Sequence, residues 1–149
     1  FKHFLYVLKL AYNENFIDKD LAKDAEYIKE EETQREYLTE DELKALMTHE
    51  FGDAKLSYIR DIFVFASFTA LSFVDIKELT NSNIVEVNGE KWILSKRYKT
   101  KVPFQVKLLD TPLQIIERYR PCQEDNLIFP NLNYWSICKS LKKGMKECG

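Results

Sequence analysis

The run from Leu56 to Leu71 constrains this fold more than any other stretch, because beyond Arg60 it is apolar around most of a helical circumference. Such a helix belongs in the middle of a domain, with other elements packed on several sides. Its apolar part, Ile62 to Leu71, is too short to cross a bilayer, and no basic-then-apolar signal opens the chain. With 149 residues, one main domain around this helix plus a short appendage is the expected organisation.

The flanking segments supply the partners. Phe4, Leu5, Leu8, Ala11 and Tyr12 recur at helical spacing, so residues 2 to 15 read as a helix with one apolar face that needs something to cover it. Residues 18 to 36, with the run Glu30-Glu31-Glu32, hold few large apolar side chains and read as an exposed linker or solvated helix face. A domain boundary is placed near Arg35. Thr39, three residues before Glu42, fits a capping box, with Leu38 in the stapling position. A short helix follows over Phe73 to Leu79. Ile84 to Val87, Asn88-Gly89 and Lys91 to Ser95 read as a hairpin with a two-residue turn. Alternation at Phe104, Val106 and Leu108 adds a third strand. Thr111 as cap and Pro112 in the first position open a helix to Tyr119, which Pro121 ends. Tyr134, Ile137, Cys138, Leu141 and Met145 mark one face of a last helix. The expected fold class is therefore α+β, mainly helical with a small three-stranded antiparallel sheet over residues 83 to 87, 91 to 96 and 104 to 108.

Charge is unevenly distributed. The net charge of −2 conceals an acidic excess over residues 11 to 50 and a basic excess over residues 91 to 110. Four lysines also fall among the last eleven residues. A basic face for a polyanion explains that separation better than a uniform surface does. The three cysteines, Cys122, Cys138 and Cys148, are odd in number and lack metal-ligand spacing, and the two histidines, His3 and His49, lie far from them. Neither a disulfide scaffold nor a zinc site is expected, and a reducing, cytoplasmic setting fits.

Read in order, these segments resemble the tyrosine recombinases, the DNA strand-exchange enzymes that include phage and conjugative-transposon integrases, most closely those of Bacteroides-type mobile elements. Leu38-Thr39-Glu40-Asp41-Glu42-Leu43 resembles the opening of their catalytic domain. Phe68-Thr69-Ala70-Leu71-Ser72-Phe73-Val74-Asp75-Ile76 is similar to the block usually written around Thr-Gly-Leu-Arg, with Ala70 for the glycine and Ser72 for the arginine. Trp92 to Thr100 resembles the hairpin that delivers a catalytic lysine, and Leu127-Ile128-Phe129-Pro130 the segment before the second motif. The resemblance implies that residues 1 to 35 are the end of a DNA-clasping core-binding domain with an acidic linker, and that 36 to 149 are the N-terminal portion of the catalytic domain.

It also implies a function: site-specific recombination or integration, in which a tyrosine attacks a DNA phosphate to give a 3′-phosphotyrosyl link and frees a 5′-hydroxyl, without metal or other cofactor. The implied partners are double-stranded DNA, further copies of the protein on that DNA, and an accessory DNA-bending factor, with no membrane. Lys99 takes the place of the general acid, Asp75 that of the acidic residue orienting the basic cluster, and Ser72 that of a phosphate-clamping arginine. The histidine-x-x-arginine motif and the nucleophilic tyrosine of the family have no counterpart in these residues, and the chain opens on Phe1. A part of a longer protein, inactive alone, is expected.

Each assignment has a plainer reading. Serine donates one neutral hydrogen bond where arginine offers a charged fork, so Ser72 is either a divergent site residue or an inert helix cap. Arg97, two residues before Lys99, would share its face on a continuing strand. It is then either a compensating phosphate ligand or a surface residue covering apolar neighbours with its stem. Lys99 alone is a solvated turn lysine, and Asp75 a charge that keeps a helix end wet. Arg60-Asp61, Lys96, Lys101 and Lys107 read as scaffold or DNA-backbone contacts. A DNA-binding or regulatory module derived from a recombinase, without catalysis, is the alternative function.

Overall fold

The structure is a computed structural model that describes residues 2–23, 25, 37–120 and 126–148. The boundary expected near Arg35, the glutamate run at 30–32, Pro121 and Cys122 lie outside the described residues. The chain divides into two compact units, Phe1–Tyr37 and Leu38–Gly149. In the first, helix α1 spans Lys2–Asn13. It stops short of residue 15 because Asn15 turns left-handed at φ 58°, and the Phe16 N–H closes on the Ala11 carbonyl at 2.8 Å. That is the Schellman closure for which asparagine is a tolerated residue. No residue of α1 is fully buried, and Leu5, Leu8 and Ala11 are its half-covered stripe.

The second unit is mainly helical with a three-stranded antiparallel sheet. Helix α2 (Glu40–Thr48) opens on the expected capping box. The Glu42 N–H donates to Thr39 Oγ1 at 3.3 Å, and the Thr39 N–H donates to Glu42 Oε2 at 2.8 Å. Those bonds hold the Glu42 carboxyl below its usual range. Helix α3 (Ala54–Thr69) is the central element and packs against α2, α5 and α6. It buries Leu56, Ile59, Ile62, Val64 and Phe65, and the Phe65 ring meets Phe129 edge-on at 4.9 Å. Helix α4 (Phe73–Lys77) follows after a sharp corner at Ala70.

The sheet has the order β1 (Ile84–Val87), β2 (Glu90–Lys96), β3 (Pro103–Lys107). Asn88 and Gly89 both take positive φ in the tight turn, as a type I′ hairpin requires. The register pairs Ile84 with Ile93 and Ile93 with Val106, which lays one apolar row on the helices. Helix α5 (Asp110–Tyr119) begins earlier than expected, and Thr111 is not its cap. Leu109 stands in the cap position without a side-chain bond, Asp110 supplies a favourable charge to the first turn, and Pro112 is buried within it. Residues 126–128 run back along 79–81, with the Ile128 N–H on the Leu79 carbonyl at 2.9 Å. Helix α6 (Tyr134–Cys148) closes the unit, with Gly144 set against the Phe51 ring.

One buried carboxylate ties α3 to α5. Asp61 receives Arg60 Nε at 2.8 Å, Arg118 Nη1 at 2.7 Å and the Tyr119 hydroxyl at 2.7 Å. Burial, then the bond to Asp61, pushes the Tyr119 phenol well up, so it remains a donor. Arg60 also reaches the His49 carbonyl. For Arg60-Asp61 this is the scaffold role.

Candidate functional site

The second buried carboxylate, Asp75, organises the site. Its side chain is only 4% exposed and sits in the first turn of α4, capped by Ser72. The Ser72 hydroxyl donates to Asp75 Oδ2 at 2.8 Å, and the Asp75 N–H donates back to Ser72 Oγ at 3.4 Å. Arg97 Nη1 donates to the same Oδ2 at 2.8 Å, while the Tyr98 N–H donates to Oδ1 at 2.9 Å. A carboxylate this well surrounded is stabilised in its charged form. Burial pushes its pKa upward, but the Tyr98 amide, the Arg97 guanidinium and the Ser72 hydroxyl together hold it below the ordinary aspartate range.

Arg97 is held on three sides. Besides Asp75 it reaches the Ala70 carbonyl, 3.4 Å from Nη1 and 3.5 Å from Nη2, and it lies over the Phe104 ring with its centroid 4.8 Å away. The Ala70 carbonyl is available because the chain turns left-handed there (φ 52°, ψ 27°) at the C-terminus of α3, where the helix dipole also favours a cation. The side chain keeps 35% of its surface exposed.

The Arg97-Tyr98-Lys99 spacing does not act as expected. Strand β2 ends at Lys96, and residues 97 to 102 form a loop closed by Arg97 N–H to the Val102 carbonyl and Lys101 N–H to the Arg97 carbonyl, both 2.8 Å. Alternation stops with the strand. Arg97 therefore turns inward to Asp75, whereas Lys99 lies on the exposed turn and has no hydrogen bond or ion pair to a described residue. Lys101, at φ 59°, places its ammonium 4.6 Å from the centroid of the exposed Tyr98 ring. Lys96 is exposed as well, and Lys107 pairs with Glu90 across the sheet. Asp75 is thus a buried clasp, not a wet helix end.

The structure brings Ser72, Asp75 and Arg97 into one hydrogen-bonded group and leaves Lys99 outside that group, on the loop it secures. Three participants escape residue-type reasoning: the Tyr98 amide, the Ala70 carbonyl and the Phe104 ring. Only Phe104 carried a signal, since a strand residue just after the loop must face near the residues just before it. Within the trio the charges of Asp75 and Arg97 cancel, so Lys96 at the end of β2 and Lys99 and Lys101 on the loop are the cations here without an ion pair to a described residue. Among the described residues no His, Cys, Asp or Glu cluster is gathered to hold a metal ion, and no helix is long and apolar enough to cross a membrane. No family model, curated protein or solved structure matches this chain.

Proposed function

We propose that the Leu38–Gly149 unit binds the phosphate backbone of double-stranded DNA and forms part of a tyrosine-recombinase-type strand-transfer enzyme. The observation carrying this reading is the Asp75 clasp: a buried carboxylate with Ser72, Arg97 and the Tyr98 amide on it, anchoring a loop whose lysines face solvent. Sheet and helices supply the rigid frame, and the clasp limits how far the loop can move. Lys99 then meets a bound backbone as an ammonium on a fixed turn. In the strand-transfer step a tyrosine oxygen forms the new bond to the 3′-phosphate. The bond from phosphorus to the 5′ oxygen breaks, and Lys99 Nζ–H delivers the proton that oxygen takes. Arg97 is oriented by Asp75, and its remaining N–H groups can meet a non-bridging oxygen. The tyrosine and the histidine-x-x-arginine cations come from outside these 149 residues in this reading.

A DNA-binding module without catalysis is the second reading. It is favoured by Ser72, which is neutral, and by the ion pair that occupies Arg97. The test for binding is fluorescence anisotropy with a labelled duplex across a salt series. The wild-type chain should bind at low salt and weaken steeply as salt rises. A Lys96→Gln/Lys99→Gln/Lys101→Gln variant should bind more weakly, with a slope shallower by about one unit for each phosphate it no longer neutralises. Duplex binding unchanged by that variant would remove the loop from the interface. In a polypeptide that includes the tyrosine, Lys99→Ala should reduce cleavage of a suicide substrate far more than it reduces binding. Equal losses would leave the binding module as the better account.

A further inference from the structure

Helix α6 carries a feature that the loop does not explain. Ile137, Leu141, Gly144 and Cys148 fall at helical spacing on the side turned to the core, with Ile137 and Gly144 buried. Trp135, Lys139, Lys142 and Lys146 recur four, three and four residues apart, which sets them on the opposite side as one stripe. All four are exposed, and Trp135 retains 79% of its surface. Among the described residues Lys139, Lys142 and Lys146 make no ion pair, whereas Lys143 pairs with Glu147 at 3.8 Å. Beside the stripe runs an open groove of about 570 Å³ whose lining includes Lys55, Lys139, Lys142, Lys143, Lys146 and Ser140. The Asp53 carboxylate in that lining caps α3 and is engaged by the Lys55 N–H at 2.8 Å. No residue of the 97 to 102 loop lines it.

We infer that this stripe is a second DNA-backbone surface, in which Lys139, Lys142 and Lys146 meet phosphates of a duplex and Trp135 lies against the sugar-phosphate edge. The argument is charge complementarity on a rigid support. The three lysines are set along the helix axis at about 4–6 Å intervals, without an ion pair to a described residue, next to a groove lined with further lysines. A helix docked through Gly144 close to Phe51 holds that row fixed, so a polyanion is met by cations already in line. The inference rests on the duplex-DNA reading above and extends it to a different element.

The test uses the full chain and the same labelled duplex, comparing wild type with a Lys139→Gln/Lys142→Gln/Lys146→Gln variant and with the loop variant. All three substitutions are on exposed side chains, and circular dichroism checks that the helices remain. At about 0.1 M salt the helix variant should bind at least about tenfold more weakly, and its salt slope should be shallower by about two to three units. Trp135 emission should change on adding unlabelled duplex, and a Trp135→Phe chain should lose that response. If the helix variant binds with wild-type affinity and slope while the loop variant is weakened, this inference falls and the loop reading stands. If only the helix variant is weakened, the inference stands and the loop is not the contact. A wild-type chain that ignores duplex, or that binds phosphatidylserine vesicles in its place, overturns both.

Discussion

At the scale of single residues, one carboxylate decides the geometry of the site. Asp75 accepts from Ser72, Arg97 and the Tyr98 amide, and its depressed pKa makes this a pH-dependent attachment. The folded-state pKa lies below the unfolded one, so the stabilisation is fully present above the unfolded value of about 4 and is lost as pH falls through the folded value. Asp75→Asn should therefore cost about 1–3 kcal/mol near neutrality, moderated because Arg97 keeps access to water. Denaturant titrations at neutral and acidic pH should show the gap between wild type and variant narrowing as the pH drops below the ordinary carboxylate range. A gap that is constant with pH would mean that the Asp75 charge contributes nothing to the fold. The sequence places Asp75 beside the basic cluster, and it does pair with Arg97; its burial is not legible there, because it depends on a loop more than twenty positions away.

At the scale of elements, the sequence was read most successfully where local chemistry acts alone. The Thr39–Glu42 capping box, the Asn88-Gly89 turn and the alternation through β3 each specify their own backbone. Boundaries differ at two helix ends: α1 stops at Asn13, two residues before the left-handed Asn15, and α5 starts at Asp110, before Thr111. Arg97 does turn to Asp75 and Ser72, but Lys99 does not share its face, because a spacing of two describes a strand and β2 ends at Lys96. The corner between α3 and α4 makes a separate prediction. Ala70 holds a left-handed conformation that costs a residue with a Cβ about 1–2 kcal/mol, whereas glycine adopts it freely. Glycine also adds freedom to the unfolded chain, so Ala70→Gly should stabilise by a net amount of up to about 1 kcal/mol. Thermal or denaturant unfolding measures it, and a destabilised variant would show that packing of the alanine methyl outweighs the strain.

At the scale of the whole molecule, the Leu38–Gly149 unit combines an apolar helical core with cations displayed on a loop and along one helix. The Phe1–Tyr37 unit has its own amphipathic helix. The sequence announced the central helix and the uneven charge, but not which cations are paired to buried carboxylates: Arg60 and Arg118 meet Asp61, and Arg97 meets Asp75. The bonds from Arg118 and Arg97 join positions far apart in the chain, which no local pattern encodes. Under the proposed function, Asp75 serves DNA binding by holding the lysine loop in place. The Asp75→Asn chain tests it directly, because the substitution removes a negative charge and releases Arg97. Simple electrostatics then predicts tighter binding to a polyanion, whereas a clasp predicts weaker binding, since the loop cations lose their fixed position. The measurement is the duplex dissociation constant of wild type and Asp75→Asn at one fixed salt concentration, with circular dichroism confirming that both are folded. Weaker binding by the variant is the result expected, and equal or tighter binding would contradict the account.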